Sequence, residues 1–180
     1  MRKFLLLTVL ALASLATSSF AVVQTPRKAP EFVIQMVDGS QKLLSSYRGK
    51  TIAMAFMFTT CPHCQKTAGV LAKVQTEYAA KGVQVLGVTF DDGAAARVQQ
   101  FNQQLGLNFP CGYSAKLPVL EFLGVPQNEP FFVPILVFID RLGNIRSEYI
   151  GDEKFLTNQE VNIRAELDKY LKAGPVSAKK

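Results

Sequence analysis

Two cysteines in this 180-residue chain stand three positions apart, in the motif Cys61-Pro62-His63-Cys64. An apolar run from Ile52 to Phe58 precedes the motif, and apolar residues at spacings of three and four follow it, so the motif is predicted to open a helix. Pro62 suits the first helical position, where the missing N–H costs nothing. A cysteine at a helix N-terminus faces unpaired N–H groups and the positive end of the helix dipole, which favour its thiolate. Cys61 is therefore the predicted nucleophile.

Cys64 lies one helical turn beyond Cys61, near enough to close a disulfide with it and less accessible to outside thiols. We predict that Cys64 is the resolving thiol. His63, the single histidine, is a neighbour that stabilises the thiolate when protonated and so makes the disulfide a stronger oxidant. The predicted chemistry is thiol–disulfide exchange through a redox-active Cys61–Cys64 disulfide, with no cofactor and no metal ion.

Half of a zinc site is the alternative interpretation of the motif. A structural zinc site needs four ligands, and beyond the motif only Cys111 remains as a third cysteine. We therefore favour redox chemistry over metal binding. Cys111 itself is predicted to pack as a small buried hydrophobe, although a second redox role for it stays open.

The elements around the motif alternate between strand and helix. The run from Ile52 to Phe58 and the run from Ile135 to Ile139 are apolar without alternation, as strands buried on both faces are. The turn Asp140-Arg141-Leu142-Gly143-Asn144 joins the second run to a final strand, and an apolar stripe then predicts a closing helix. We expect an α/β fold in which helices flank both faces of a central sheet.

Two other segments complete this arrangement. Phe32 to Val37 and the turn Asp38-Gly39-Ser40 predict an N-terminal hairpin. Between Leu107 and Phe132 the chain is rich in proline and phenylalanine, and we interpret it as an insertion with a short helix near Val119 to Leu123. The paired Phe131 and Phe132 beside Val133-Pro134 are compatible with a substrate groove, a dimer contact or core. We expect core, because two phenylalanines at the start of a strand usually pack inside.

The first residues differ from the rest of the chain. Arg2 and Lys3 precede an apolar run from Phe4 to Ala16, and Ser19-Phe20-Ala21 follows. This pattern is typical of a secretory signal peptide, and the apolar run is shorter than the roughly 20 residues of a membrane-spanning helix. We predict a signal peptide over residues 1–21 and an exported, periplasmic or extracellular protein that does not span the membrane.

The remaining length, residues 22–180, is predicted to form one domain with a core over about residues 29–172. The formal net charge is +6, but the basic residues are spread and partly terminal. Since no arginine stripe or aromatic-basic interleaving is present, we do not expect nucleic acid as a partner.

Several short motifs in order resemble the thioredoxin superfamily. The strand, the CxxC helix and the later Val133-Pro134 before a buried strand carry the general likeness. Ala29-Pro30-Glu31-Phe32 and Phe58-Thr59-Thr60-Cys61 are similar to the redoxin branch, which includes TlpA-like and peroxiredoxin proteins. The Pro62-His63 dipeptide also resembles DsbA proteins, without their long helical insertion.

The resemblance implies a thioredoxin fold with a mixed sheet and a thiol-disulfide oxidoreductase activity, its direction of electron flow left open. It implies that Pro134 is a cis-proline beside the disulfide and that Val133 and Thr60 contact an extended substrate. The partners would be protein thiols or disulfides together with a membrane-bound or soluble redox partner.

The chain departs from thioredoxins in one respect that bears on proton transfer. The acid that thioredoxins bury upstream of the motif is absent, because the corresponding strand holds Ala55 among apolar neighbours. Asp91 and Asp92, at the end of the next predicted strand, are candidates for proton transfer by topology. Capping of the following helix is the other interpretation of both residues.

Two alternative functions come from related families. A peroxiredoxin-like thiol peroxidase would carry a proline and a hydroxyl residue at set positions upstream of the cysteine, and here those positions hold Met54 and Phe58. A Sco-like copper protein shares the opening Phe58-Thr59-Thr60-Cys61-Pro62 but also needs wider cysteine spacing and a distal histidine. Both stay open as alternatives to thiol–disulfide exchange.

Overall fold

The computed structural model describes residues 25–172, so the predicted signal peptide lies outside the described residues. In this range the strands are β1 Arg27–Lys28, β2 Val33–Gln35, β3 Gln41–Leu43, β4 Thr51–Met57, β5 Val83–Thr89, β6 Cys111–Tyr113, β7 Ile135–Ile139 and β8 Asn144–Ile150. The α-helices are α1 Pro62–Tyr78, α2 Ala94–Gln104, α3 Lys116–Leu123, α4 Glu153–Thr157 and α5 Gln159–Lys172. None of these helices is long and apolar enough to cross a membrane.

The eight strands form one mixed sheet in the order β1-β8-β7-β4-β5-β6-β2-β3. Strands β4, β5 and β6 run parallel, while β7 is antiparallel to β4 and pairs with it from Ile52↔Ile139 to Phe56↔Ile135. The carboxyl end of β4 therefore meets the amino end of β7. This edge of the sheet receives both the cysteine motif and the Val133-Pro134 pair.

Strand β4 is buried along its whole length because both of its faces are covered. Ala53, Ala55 and Met57 face a core that includes residues of α1, α2 and α5, while the alternate residues face a second core with α3. The predicted fold class, an α/β thioredoxin fold with helices on both faces, is confirmed. The unbroken apolar run predicted this double burial.

Helix α1 begins and ends where its residue types place the boundaries. Cys61 is the N-cap, with φ −84° and ψ 119°, and Pro62 follows at the first helical position. After Tyr78 the chain tightens into a 3₁₀ turn, and Gly82 closes that turn with φ 88° in the left-handed region. A residue with a side chain adopts this conformation only under strain, so glycine fits here.

The segment predicted as an insertion contributes to the sheet. Its helix, α3, was predicted near Val119 to Leu123 and spans Lys116–Leu123. Strand β6 precedes α3 and joins the parallel strand β5 to the hairpin of β2 and β3. The predicted N-terminal hairpin is thus present, but β6, which docks it on the sheet, was missed.

Candidate active site

The cysteine motif lies at the turn from β4 into α1, with its thiols at different depths. Cys61 is partly exposed and Cys64 is buried, and both are free thiols in this structure. The Cys61 sulfur accepts a hydrogen bond from the Cys64 backbone N–H at 3.4 Å. The structure thus places an accessible thiol at the N-cap and a covered thiol one turn along the helix.

The Cys64 thiol is enclosed by the turn that leads into its own helix. Its sulfur accepts a hydrogen bond from the backbone N–H of Phe58 at 3.4 Å. Burial raises the pKa of Cys64 well above its usual range; the Phe58 N–H opposes this rise, while Cys61 and Asp91 add to it. Deprotonation of the Cys64 thiol is therefore unfavourable in this structure.

The carboxylate of Asp91, just beyond β5, reaches across to the turn before Cys61. It accepts hydrogen bonds from the backbone N–H of Thr59 at 2.8 Å and from the Thr59 hydroxyl at 2.7 Å. Neither Asp91 nor Asp92 gives a side-chain cap to α2, whose N-cap is Gly93. The capping interpretation is wrong for both residues.

Arg97, on α2, is a neighbour of the site that sequence reasoning missed. Its guanidinium donates to the Thr59 hydroxyl at 2.9 Å and to Asp91 at 2.6 Å. The helical pattern of α2 predicted only which residues face the core. No local signal ties an arginine to a turn 38 residues earlier in the chain.

The Val133-Pro134 pair lies beside the cysteine motif, and its peptide bond is cis, as the resemblance implies. Pro134 is buried and Val133 partly buried, while Thr60, the other predicted substrate contact, is exposed. A cavity of about 660 Å³ opens next to Val133. Its lining includes His63, Lys66, Phe132, Val133, Gly151 and Leu156.

The two phenylalanines before Val133 separate. Phe131 stacks on Phe90 with ring centroids 5.8 Å apart and meets Phe58 edge-on. Phe132 is 72% exposed and borders the cavity, so its assignment to the core was wrong. Gly151 lies against it, and a Cβ atom there would overlap the Phe132 Cβ. The chain thus keeps one aromatic ring in the fold and exposes the other at the cavity that His63 also lines.

Cys111 lies on β6, 1% exposed, and packs against Gly87 of β5. A Cβ atom on Gly87 would come within 2.6 Å of the Cys111 sulfur, so the thiol fills the space that this glycine leaves. Burial raises the pKa of Cys111 to about 12. Its surroundings are those of a packing residue. Among the described residues, no group of three or more His, Cys, Asp or Glu side chains could hold a metal ion.

The sheet order, the dithiol at the start of α1 and the cis-proline beside it define a thioredoxin-fold protein with a candidate redox dithiol. The chain belongs to the Redoxin family, whose model matches residues 24–165. The resemblance to the redoxin branch is confirmed.

Curated relatives carry an enzyme name. The chain is 26% identical over 150 residues to the thiol-disulfide oxidoreductase ResA of Bacillus anthracis, covering 83% of this chain and 78% of that protein. It is 28% identical over 123 residues to ResA of Geobacillus thermodenitrificans, covering 68% and 67%. These relatives confirm the predicted enzyme class, a thiol-disulfide oxidoreductase.

Solved structures share the fold. A thiol:disulfide interchange protein of the thioredoxin family from Chlorobium tepidum superposes with a TM-score of 0.69 at 22% identity, over 82% of this chain and 98% of that one. An uncharacterized conserved protein from Geobacillus kaustophilus gives a TM-score of 0.70 at 22% identity, over 86% of each chain. At these identities the likeness establishes the thioredoxin fold.

Proposed function

We propose that the protein is an exported thiol-disulfide oxidoreductase that exchanges a Cys61–Cys64 disulfide with cysteines of other proteins. The observation that carries the proposal is the pairing of a partly exposed Cys61 at a helix N-terminus with a fully buried Cys64 beneath it. One sulfur is open to a partner, and the other is reserved for the internal step.

In the oxidising direction, a partner thiolate attacks the Cys61 sulfur of the disulfide. The Cys61–Cys64 bond breaks, Cys64 leaves as a thiolate that takes up a proton, and a mixed disulfide joins Cys61 to the partner. A second partner thiolate then attacks the partner's own sulfur, releasing Cys61 as a thiolate. The partner is oxidised by two electrons and the enzyme dithiol is formed. The reducing direction runs through the same steps in reverse.

The surroundings of Cys64 explain why its thiolate is protonated after release. A buried thiolate is unfavourable, so Cys64 takes up a proton as soon as it is released. His63 is exposed on the first turn of α1, where we propose that its protonated form favours the Cys61 thiolate. The redox-active disulfide is then the only redox group that the exchange requires.

The cavity beside Val133 is the proposed place for the partner's cysteine segment. Phe132 and Leu156 offer apolar contacts there, while Lys66 and His63 line the side nearest the motif. We propose that Val133 and Thr60 contact an extended segment whose cysteine reaches Cys61. Pro134, the next residue after Val133, would hold the backbone of the cavity wall at that point.

Export and the redox partner rest on the sequence. The leader pattern over residues 1–21 supports a periplasmic or extracellular location for the mature chain. In such a compartment a membrane-bound or soluble protein would restore the redox state of the dithiol after each exchange.

The peroxidase alternative is not favoured by the site. The Thr59 hydroxyl, the nearest one to the predicted position, donates to Asp91 and accepts from Arg97. It is therefore occupied and not free to bind a peroxide. For the copper-protein alternative, no contact described above supports copper binding.

The test is a redox titration of the purified mature chain in glutathione buffers, with thiol alkylation and intact mass as the readout. We expect a two-electron transition that links Cys61 to Cys64 and disappears in Cys61→Ser and Cys64→Ser. The oxidised enzyme should then transfer its disulfide to a reduced, unfolded protein. A dithiol that never cycles in any glutathione buffer would refute the proposal.

The titration also gives the direction of electron flow. A reduction potential well above that of thioredoxin, about −270 mV, would identify a disulfide donor. A value near or below it would identify a reductase. Cys111→Ala is the matched control, because its thiol is buried away from the motif and the variant should titrate like the wild type.

A further inference from the structure

The turn residues Phe58 and Thr59 lie between two groups of the site. On one side the Phe58 N–H donates to the Cys64 sulfur, and on the other the next N–H, that of Thr59, donates to Asp91. The two carbonyls of this turn are also engaged. The Phe58 carbonyl accepts from the Cys61 N–H at 3.3 Å, and the Thr59 carbonyl accepts from the Gln65 side chain at 3.0 Å.

Asp91 is itself held in place. Its side chain is 9% exposed and forms an ion pair with Arg97 at 2.6 Å. Arg97 also donates to the backbone carbonyl of Asp92 and to the Thr59 hydroxyl, which closes a triangle of side chains. A mostly covered carboxylate with this many charge-assisted hydrogen bonds has a fixed orientation.

From this geometry we propose that Asp91, oriented by Arg97, is a positioning residue for disulfide closure at Cys61 and Cys64. Asp91 clamps the Phe58–Cys61 turn through Thr59, and the clamped turn directs the Phe58 N–H at the Cys64 sulfur. The inference rests on the proposed function, since it concerns the internal step of thiol–disulfide exchange.

The same contacts distinguish positioning from proton transfer. Both carboxylate oxygens of Asp91 already accept hydrogen bonds. Burial alone would raise the pKa of Asp91, but the hydrogen bonds from Thr59 and Arg97 outweigh burial and lower that pKa. An ionised, occupied carboxylate is a weak proton acceptor. We therefore favour a positioning role for Asp91 over the proton-transfer role predicted from topology.

The proposed positioning by Asp91 affects the second step in oxidation of the dithiol. With oxidised glutathione, the Cys61 thiolate first attacks a glutathione sulfur and releases one glutathione thiolate. The Cys64 thiolate, whose proton goes to water, then attacks the Cys61 sulfur and releases the second glutathione thiolate. The first step needs only an accessible Cys61. The second step needs the Cys64 sulfur in line with the bond between the Cys61 sulfur and glutathione.

The experiment separates these two steps. Reduced protein is mixed with oxidised glutathione, samples are quenched with acid, and intact mass resolves the reduced, glutathionylated and internally oxidised forms. The first step is measured alone in a Cys64→Ser background. The variants are Asp91→Asn, Thr59→Val and Thr59→Ser, with Glu121→Gln as the matched control because Glu121 is an exposed carboxylate on α3 that takes no part in the contacts among Asp91, Thr59 and Arg97.

We expect closure of the internal disulfide to slow on the order of tenfold in Asp91→Asn and Thr59→Val, because a misplacement of about 1 Å costs up to about 100-fold. The glutathionylated form should accumulate, while the first step stays within about twofold of the wild type. Thr59→Ser, which keeps the hydroxyl, should restore closure. Glu121→Gln should behave like the wild type.

The outcomes separate the two claims. If the wild type never forms the internal disulfide, the proposed function itself fails. If the wild type cycles but Asp91→Asn and Thr59→Val close at the wild-type rate, only the positioning role is overturned. Thermal unfolding of each variant identifies loss of fold, and the Thr59→Val and Thr59→Ser pair keeps the test decisive if Asp91→Asn does not fold.

Discussion

At the scale of single residues, the site is organised by unequal exposure. Cys61 is partly open while Cys64 is fully buried, and Phe131 is held in an aromatic cluster while Phe132 projects beside the cavity. An exposed phenylalanine at the border of a cavity removes apolar surface from water when a bound chain covers it, which is favourable. Under the proposed function, we expect its position to affect which partner proteins the cavity accepts.

Phe132→Ala is predicted to discriminate between large and small substrates. Removing the ring should cost about 1–2 kcal/mol of binding to an unfolded protein substrate, on the order of tenfold in kcat/KM. Closure with glutathione should be unchanged, because glutathione is too small to require that contact. Stopped-flow kinetics with both substrates measures the split.

Leu142→Ala is the matched control for this prediction. Leu142 is 46% exposed but lies in the turn between β7 and β8, at the opposite end of the sheet. It should leave both rates unchanged. An equal loss with glutathione and with protein in Phe132→Ala would contradict a role in substrate contact.

At the scale of elements, the docking of β2 on β6 depends on one glycine. A Cβ atom on Gly112 would overlap the carbonyl oxygen of Gln35, and the side chain of Ile34 lies 2.7 Å away. Both obstructing groups belong to β2, which carries the N-terminal hairpin onto the sheet. Only a residue without a side chain lets the two strands approach.

Gly112→Ala is predicted to lower the free energy of unfolding by about 1–3 kcal/mol, because the strands must move apart. Gly69→Ala is the matched control, since Gly69 lies in α1 and a Cβ atom there would meet nothing within 4 Å. That change should raise stability by roughly 0.5–1 kcal/mol, as expected in a helix. Urea unfolding of both variants compares them, and a neutral Gly112→Ala would refute the close approach.

The sequence predicted most of the elements but not β6. Strands β4 and β7 are long apolar runs, and α1 has a periodic face, so each is visible locally. Strand β6 is three residues long, and its pairing partners lie far away in the chain. Likewise, the cysteine motif was predicted from local spacing. The Asp91–Thr59 contact joins residues 32 positions apart and has no local pattern.

At the scale of the whole molecule, buried thiols couple stability to pH. The pKa of Cys64 is raised by burial, and that of Cys111 is raised to about 12. The unfolded chain, with thiol pKa values near 8.5, loses these protons first as pH rises. The contribution of these two thiols to the stability of the folded state is therefore fully present below about pH 8.5, and it is progressively lost as the pH rises above that value.

We predict that the free energy of unfolding of the reduced protein falls between about pH 8.5 and pH 10, by up to about 1.4 kcal/mol per pH unit for each buried thiol. The oxidised protein should fall less steeply because Cys64 no longer titrates. Cys111→Ala should reduce the slope in the reduced protein. Chemical unfolding across this pH range measures it, and identical slopes in all three forms would contradict the coupling.

The hydrogen bond from the Phe58 N–H to the Cys64 sulfur has a spectroscopic consequence. When Cys64 passes from thiol to disulfide, the electron density and polarisability of the acceptor sulfur change, while the donor remains the Phe58 N–H. The magnetic shielding of the Phe58 amide proton should therefore differ between the dithiol and the disulfide. An isotope label at Phe58 alone would let nuclear resonance report the oxidised fraction in an intact cell, with no dye or affinity tag attached.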